Sequence, residues 1–271
     1  MRASVRRATA SVLDALDQIR GHDDQGLPSR RMMLSVGPQW SKADFVHEGT
    51  RMMRLLVELG GLRPEHDVLD VGCGVGRIAI PLTGSLTARY EGFDVLPESV
   101  RWCQENITTR HPRFRFRLAD IKNGHYNPTG ELSASDFRFP YDDESFDFVF
   151  HTSVFTHLLP EAAENYARET ARVLRRPGTC FATFYLLSDE RSRLADEGRL
   201  PIRFRSRRPQ YWASRDGDPE AAVAYWEKAA TAMFERAGLS PTVHRGRWAG
   251  DAGSDGWQDT IVARVSKAAD R

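Results

Sequence analysis

The stretch Val68-Leu-Asp-Val-Gly-Cys-Gly-Val-Gly-Arg77 decides the fold of this 271-residue chain. Its first four residues, Val68 to Val71, are mostly apolar and typical of a short buried strand, and three glycines at alternate positions follow them. Glycines at the end of a strand allow a tight turn with positive φ and let a ligand approach the backbone closely. The stretch therefore predicts a ligand-binding turn between a strand and a helix.

The spacing of these glycines separates two classes of nucleotide-binding turn. Nicotinamide and flavin proteins use Gly-x-Gly-x-x-Gly, which would require glycine at position 77. That position is Arg77, and the loop reads Gly72-Cys-Gly74-Val-Gly76, with Asp70 two residues before it. The spacing disfavours a dinucleotide-dependent oxidoreductase and leaves it as a minor alternative.

From Asp67 onward, predicted strands and helices alternate along the chain. Helices are predicted from Pro97 and from Pro160, the second ending at Pro177-Gly178. Alternation of this kind predicts an α/β fold with a mostly parallel sheet and helices on both faces. A later helix is predicted from about Pro219 to Ala237. With the strand at Val68, the expected strands are seven, the last two forming an antiparallel end to the sheet: Tyr90–Val95, Phe114–Leu118, Phe146–Phe150, Thr179–Tyr185, Thr242–Trp248 and Trp257–Val265.

The N-terminal residues 1–60 contain two apolar stripes with helical spacing. One runs from Val5 to Ile19 and the other from Phe45 to Leu59, just before two glycines that stop the helix. We predict an N-terminal helical cap over residues 1–60, followed by a single domain over residues 61–271.

Two polar stretches, residues 122–145 and 188–218, are longer than the bare fold needs. Long loops beside a site are often lids or substrate walls, so we predict two lid-like insertions. In this hypothesis Tyr126 and Arg138 line an acceptor pocket together with the segment Arg203–Trp212. The arginines of that segment are either a solvated face or a contact for an anionic or sugar-like acceptor.

Residues Val68–Arg77 resemble motif I of the class I S-adenosylmethionine-dependent methyltransferases, and the resemblance extends over roughly residues 60–187. It implies a Rossmann-like sheet, S-adenosylmethionine as cofactor and an enzyme of the small-molecule branch. It also implies that Asp70 assists the ammonium group, Asp94 accepts both ribose hydroxyls, and Asp120 with Ile121 holds the adenine. The expected cofactor residues are Asp70, Gly72, Cys73, Gly74, Gly76, Asp94, Val95, Asp120, Ile121 and Thr152.

Two histidines follow the fourth strand at the edge where open α/β sheets bind ligands. His157 and His151 are the candidate catalytic residues, because an imidazole can take a hydroxyl proton near neutral pH. The expected reaction is O-methylation of a natural-product or sugar-like small molecule. Methylation of nitrogen or carbon, and S-adenosylmethionine binding without catalysis, remain alternatives. The stretch Thr152-Ser-Val-Phe155 lacks the Asn-Pro-Pro-aromatic motif of nucleic-acid adenine methyltransferases.

Composition restricts the partners and the compartment. Lysine and arginine total 38 against 37 aspartate and glutamate residues, so a dedicated nucleic-acid binder is disfavoured. Cys73, Cys103 and Cys180 have spacings that suit neither a disulfide framework nor a zinc site, which favours a reducing cytoplasm and no metal. No apolar run reaches the roughly 18 residues that span a bilayer. A small-molecule acceptor is the expected partner, with a homodimer as one alternative for assembly.

Overall fold

The computed structural model describes residues 9–14, 26–37, 41–250 and 255–265. In this part of the chain the helices are α1 (residues 9–14), α2 (Arg30–Met33), α3 (Lys42–Glu58), α4 (Ala79–Leu82), α5 (Pro97–Cys103), α6 (Pro160–Val173), α7 (Asp189–Asp196) and α8 (Glu227–Arg236). A π-helical turn, Gln104–Thr108, extends α5, and 3₁₀ turns span Phe155–His157 and Pro219–Ala221. None of the helices in these ranges is both long and apolar enough to cross a membrane.

The strands form one large sheet and one small pair. The large sheet contains β1 (Val68–Val71), β2 (Tyr90–Asp94), β3 (Phe114–Leu118), β6 (Phe146–His151), β7 (Leu174–Leu187), β8 (Ser206–Arg207), β9 (Tyr211–Ala213), β10 (Val223–Trp226), β11 (Leu239–His244) and β12 (Asp259–Val265). The small pair is β4 (Ile121–Lys122) with β5 (Leu132–Ser133).

The sheet has a parallel centre and an antiparallel end. Its strands run β3-β2-β1-β6-β7 side by side and parallel, and β12 pairs antiparallel with both β7 and β11. In the register of β1, Asp70 lies opposite Gly92 of β2 and Phe150 of β6. The α/β class and the mostly parallel sheet are confirmed. Since parallel strands end at a common edge, the residues that follow β1, β2 and β6 meet there.

Both faces of the sheet are covered, because successive side chains of a strand point to opposite sides. On one face Leu69 and Val149 pack with residues of α6 and α8. On the other face Val68 and Phe148 pack with residues of α3, α4 and α5. The second apolar stripe of the sequence is thus the buried face of α3, whose core residues are Phe45, Met52, Leu55 and Leu56. The first stripe lies outside the described residues except for positions 9–14, where Val12 and Leu13 are exposed.

The C-terminal third departs from the sequence prediction. The sheet of the described residues has ten strands rather than seven, because β8, β9 and β10 add to it. The helix predicted from Pro219 is wrong in its first half: Val223–Trp226 is a strand that pairs parallel with the end of β7, and α8 begins at Glu227. Valine and the aromatic residues of this segment favour a pleated, buried strand over a helix. The strand predicted over Thr242–Trp248 is also shifted and lies at Leu239–His244.

One buried carboxylate, Asp259, joins the last strand to several other segments. Its oxygens accept hydrogen bonds from Arg191 of α7 at 2.6 and 3.0 Å and from the Trp248 indole at 2.6 Å. The backbone N–H groups of Leu186 and Gly246 donate to it as well, each at 2.9 Å. Asp259 is fully buried and the Arg191 side chain is 4% exposed, so this ion pair is shielded from water.

Replacing Asp259 by alanine is expected to destabilise the protein strongly. Arg191 would remain buried without its counter-ion, and removal of one partner from such a pair typically costs about 3–5 kcal/mol. Urea unfolding measures the change in the free energy of unfolding. Glu197→Ala, which breaks an exposed pair with Arg199, is the control and should leave the unfolding midpoint unchanged. A small effect of Asp259→Ala, similar to the control, would contradict the central role of this carboxylate.

Candidate functional site

The loop after β1 has the backbone conformation that its glycines predict. The φ angles of Gly72, Gly74 and Gly76 are +78°, +52° and +71°, in the left-handed region that favours glycine. The surroundings also exclude a side chain, since a Cβ at Gly72 would lie 2.5 Å from the Val154 side chain. A Cβ at Gly76 would lie equally close to Ile107. The loop is therefore a tight turn that presents bare backbone.

Asp94, the last residue of β2, fixes this loop. One carboxylate oxygen accepts the N–H of Gly74 at 2.8 Å and the other accepts the N–H of Leu96 at 2.9 Å. Burial raises the pKa of Asp94, while the hydrogen bonds from Leu96 and Gly74 oppose the rise. The carboxylate thus links the ends of two neighbouring strands and lies beside the turn.

Asp70, at the end of β1, is a second buried carboxyl group. It is 2% exposed and accepts a hydrogen bond from the Tyr90 hydroxyl. Burial raises the pKa of Asp70 to about 7, and the negative charge of Asp94 adds to the rise. The Tyr90 hydroxyl and the charge of Arg77 act in the opposite direction. A cation bound next to this group would favour its ionised form.

A cavity of about 750 Å³ opens over the carboxyl ends of the strands. Most of the residues predicted to bind the cofactor line it: Asp70, Gly72, Cys73, Gly74, Asp94, Val95, Ile121 and Thr152. The Oγ1 atom of Thr152 is buried and has no hydrogen-bond partner in the protein, so it is available to a ligand. The two carboxylates, the backbone turn and this hydroxyl therefore belong to the lining of one cavity.

Two of the predicted cofactor residues are not part of the lining. Gly76 lies beneath the turn, where its N–H donates to Cys73 at 3.0 Å and closes it. Asp120 is exposed, and its carboxylate accepts a hydrogen bond from Asn127 at 3.0 Å. The structure gives no geometric support to an adenine contact by Asp120, because the strand end brings the neighbouring Ile121 to the cavity instead.

The structure separates the two candidate catalytic histidines. His151 is fully buried and absent from the cavity lining, and its Nε2 lies 2.8 Å from the Thr170 hydroxyl of α6. Burial lowers its pKa to about 3. The structure thus places the predicted catalytic residue His151, the last residue of β6, against α6 and outside the cavity lining.

His157 lies in the 3₁₀ turn after β6 and lines the cavity. Its Nδ1 is 2.8 Å from the carbonyl oxygen of Glu220, and its Nε2 is 3.3 Å from the Tyr126 hydroxyl oxygen. Burial lowers the pKa of His157 to about 4, with the Glu220 hydrogen bond and the charge of Asp218 opposing the change and His125 adding to it. The ring is neutral at physiological pH.

Both insertions reach the cavity, but the lining residues match the sequence prediction only in part. The first provides Lys122, Asn123, Tyr126 and Ala134, whereas Arg138 is not part of the lining and pairs with Asp143. The second provides Pro201 and Ile202, which precede the predicted segment Arg203–Trp212. That segment packs elsewhere: Phe204 and Trp212 form a core cluster with Trp248.

Sequence reasoning missed a charged group at the glycine-loop end of the cavity. Glu48, Arg51 and Arg77 all line it, and Arg51 Nε donates to Glu48 at 2.9 Å. Burial acts to raise the pKa of Glu48, but Arg51 and Arg77 hold it below its usual value. The only sequence signal was the position of Arg77 directly after the glycines. In the described ranges no group of three or more His, Cys, Asp or Glu residues could hold a metal ion.

The pH dependence of S-adenosylmethionine binding is expected to report on Asp70. Below pH 7 this carboxyl is mostly protonated in the free protein, so its help to a cationic ligand is present at pH 8 and lost toward pH 6. The ratio of dissociation constants for Asp70→Asn and the unmodified protein cancels the titration of the ligand itself. Calorimetry at pH 6, 7 and 8 should show this ratio rising with pH, and a constant ratio would refute the role.

Known proteins with similar sequences include methyltransferases. Residues 69–182 match a family model described as a methyltransferase domain. Methyltransferase GfsG from Streptomyces halstedii is 31% identical over 144 residues, which are 52% of this chain and 46% of that protein. The chain spans about half the length of the curated relatives it matches.

Solved structures share the fold at low identity. A protein from Pyrococcus horikoshii OT3 has a TM-score of 0.57 and 16% identity, covering 84% of this chain and 93% of that one. The 1,6-didemethyltoxoflavin-N1-methyltransferase of Burkholderia thailandensis, solved with bound 1,6-didemethyltoxoflavin and S-adenosylhomocysteine, has a TM-score of 0.50 and 16% identity, covering 98% of this chain and 92% of that one. Residues 69–182 therefore carry a methyltransferase domain, and the chain shares the fold of a solved methyltransferase that binds S-adenosylhomocysteine.

Proposed function

We propose that the protein transfers a methyl group from S-adenosylmethionine to a hydroxyl group of a small molecule. The observation that carries this proposal is the continuity of a single cavity. Its lining includes the glycine loop with Asp70 and Asp94 as well as His157 with Tyr126. The residues suited to bind the cofactor and a residue suited to accept a proton thus line the same cavity.

The lining fits the cofactor chemically. Gly72 and Gly74 present bare backbone to the cavity, and the carboxylates of Asp70 and Asp94 suit an ammonium group and a pair of ribose hydroxyls. The unpartnered Thr152 hydroxyl offers one more polar contact. When bound, S-adenosylmethionine supplies a methyl group on a positively charged sulfur, and the methyl leaves without the electron pair of its bond.

The acceptor end of the cavity suits an uncharged small molecule with hydroxyl groups. Tyr166 and Tyr185 line it, and Gln258 accepts hydrogen bonds there from the Ser153 and Thr183 hydroxyls at 3.0 and 2.6 Å. Aromatic walls favour a flat ring or a sugar face. A natural-product or sugar-like acceptor, with proton removal assisted by His157, agrees with these contacts.

Methylation of nitrogen is the second candidate. The Burkholderia thailandensis neighbour is named as an N1-methyltransferase, and it is solved with bound 1,6-didemethyltoxoflavin. A ring nitrogen that has already lost its proton would need no base, so activity would then not depend on His157. The kinetic effect of a His157 substitution separates the two reactions.

Asp94→Asn is expected to weaken binding of S-adenosylmethionine and S-adenosylhomocysteine by at least tenfold. The amide keeps the shape but loses one acceptor oxygen, so it can no longer serve the Gly74 and Leu96 N–H groups and a ligand diol together. Calorimetry measures the loss. Asp136→Asn, at an exposed site outside the lining, is the control, and equal affinities for the two variants would argue against a cofactor role for Asp94.

Two measurements test the function as a whole. Calorimetry with S-adenosylmethionine, S-adenosylhomocysteine and NAD should show binding of the first two only, and binding of NAD alone would overturn the proposal. Release of S-adenosylhomocysteine is then followed with a panel of methyl caffeate, quercetin, methyl α-glucoside and 1-methyladenine. The first three should react in preference to the last if oxygen is the acceptor, and reaction of the last alone would favour nitrogen.

A further inference from the structure

We infer that Tyr126 is the residue that takes the proton from the acceptor, and that His157 acts through Tyr126 as a positioning residue rather than touching the acceptor itself. This inference rests on the proposed function and refines its chemistry. The tyrosine lies in the first insertion and the histidine follows β6, 31 positions apart in the sequence. The two side chains meet at the cavity wall, and both line it.

The hydrogen-bond partners of His157 determine where its proton is. Nδ1 faces the carbonyl oxygen of Glu220 at 2.8 Å, and a carbonyl can only accept, so Nδ1 carries the hydrogen. The neutral ring then has a lone pair on Nε2, and its neighbour at 3.3 Å, the Tyr126 hydroxyl, must be the donor. Nε2 is thereby already occupied. The lone pairs of the Tyr126 oxygen remain available to a hydroxyl in the cavity.

A short network of polar groups holds this pair in place. The side-chain oxygen of Asn123 accepts the N–H of Tyr126 at 2.9 Å, while its amide donates to the carbonyl of His157 at 2.9 Å. The same amide donates to the carboxylate of Glu220 at 2.8 Å. His125 stacks on the His157 ring at 5.9 Å and bonds to Asp218 at 2.8 Å. The first insertion and the 218–220 turn therefore fix both rings.

The proton balance of this arrangement is simple. As the acceptor oxygen bonds to the methyl carbon, its hydrogen moves to the Tyr126 oxygen while the Tyr126 hydrogen moves to Nε2 of His157. The transferred proton would leave one positive charge on the imidazolium of His157, which equals the charge that bound S-adenosylmethionine would supply, so the net charge of the cavity would be unchanged. Burial raises the pKa of Tyr126 to about 12, which favours transfer through a neutral phenol over prior ionisation. Product release lets His157 return its proton to water.

Nitrogen-15 NMR of the histidine rings tests the link without an acceptor. With S-adenosylhomocysteine added to the full chain, His157, assigned by loss of its signals in His157→Gln, should show the Nδ1–H tautomer and a hydrogen-bonded Nε2. In Tyr126→Phe the Nε2 signal should move toward that of a free ring, and the pKa of His157 should rise because a bond to the neutral form is lost. An Nε2–H tautomer in the unmodified protein, or an unchanged Nε2 signal in Tyr126→Phe, would overturn the inference.

Kinetics on the panel compound with the fastest turnover test the role in catalysis. Tyr126→Phe and His157→Gln should each lower kcat by about 100-fold or more, and the double variant should be no slower than either, because two groups that act as a unit are not additive. The KM for the acceptor should change little. Tyr211→Phe and His244→Gln, both outside the lining, are matched controls with unchanged turnover.

The outcomes separate the inference from the function on which it rests. If S-adenosylhomocysteine binds but Tyr126→Phe turns over at the unmodified rate, or if the losses of the two single variants multiply in the double variant, the inference fails while the methyltransferase function stands. If neither S-adenosylmethionine nor S-adenosylhomocysteine binds, the proposed function fails. If no panel compound reacts, the NMR result decides the link by itself.

Discussion

The two hydrogen bonds that Asp94 accepts from Gly74 and Leu96 are the interaction on which the site depends. A turn built from glycines with positive φ has many accessible conformations in the unfolded chain and little regular structure of its own. The buried carboxylate selects one of them by joining the end of β2 to the turn after β1. The energetic cost is visible in the raised pKa values of Asp94 and of Asp70 beside it. The turn is therefore held in one conformation before a ligand binds.

The parts of the fold and site that sequence predicts well are those set by short-range patterns. The glycine spacing, the strand before it and the buried stripe of α3 all follow from periodicity and turn chemistry within about a dozen residues. The prediction of site residues fails where a shift of one position along the chain decides whether a side chain points into the cavity or into the core. His151 ends β6 and faces the helix layer, whereas Thr152, one position later, reaches the cavity. Asp120 and Ile121 show the same one-residue alternation, because successive side chains of extended chain point to opposite sides.

Contacts between distant segments account for most of what the sequence does not reveal. Nothing local to Glu220 indicates that its backbone carbonyl fixes the tautomer of His157, 63 positions earlier. The same holds for Asp259, whose partners come from α7, β7 and the loop after β11. The first half of the helix expected at residues 219–237 is instead the strand β10, because hydrogen bonds to the end of β7 stabilise an extended chain there. The periodicity of a single sequence does not show which strands will be neighbours.

The position of Asp259 also affects which residues of the cavity wall can be substituted without unfolding the protein. Its neighbour Gln258 and the half-exposed Trp257 lie on the cavity wall, while Asp259 itself is locked into the core. Ile202, in the second insertion, is likewise a lining residue whose segment is held by the neighbouring core residues Phe204 and Trp212. The side chains that hold these segments in the core are thus different from the side chains that line the cavity, and the two kinds are often adjacent in the sequence. Substitutions at the contact positions can alter the accepted substrate at little cost in folding, which makes this wall a surface on which divergence, natural or designed, can act.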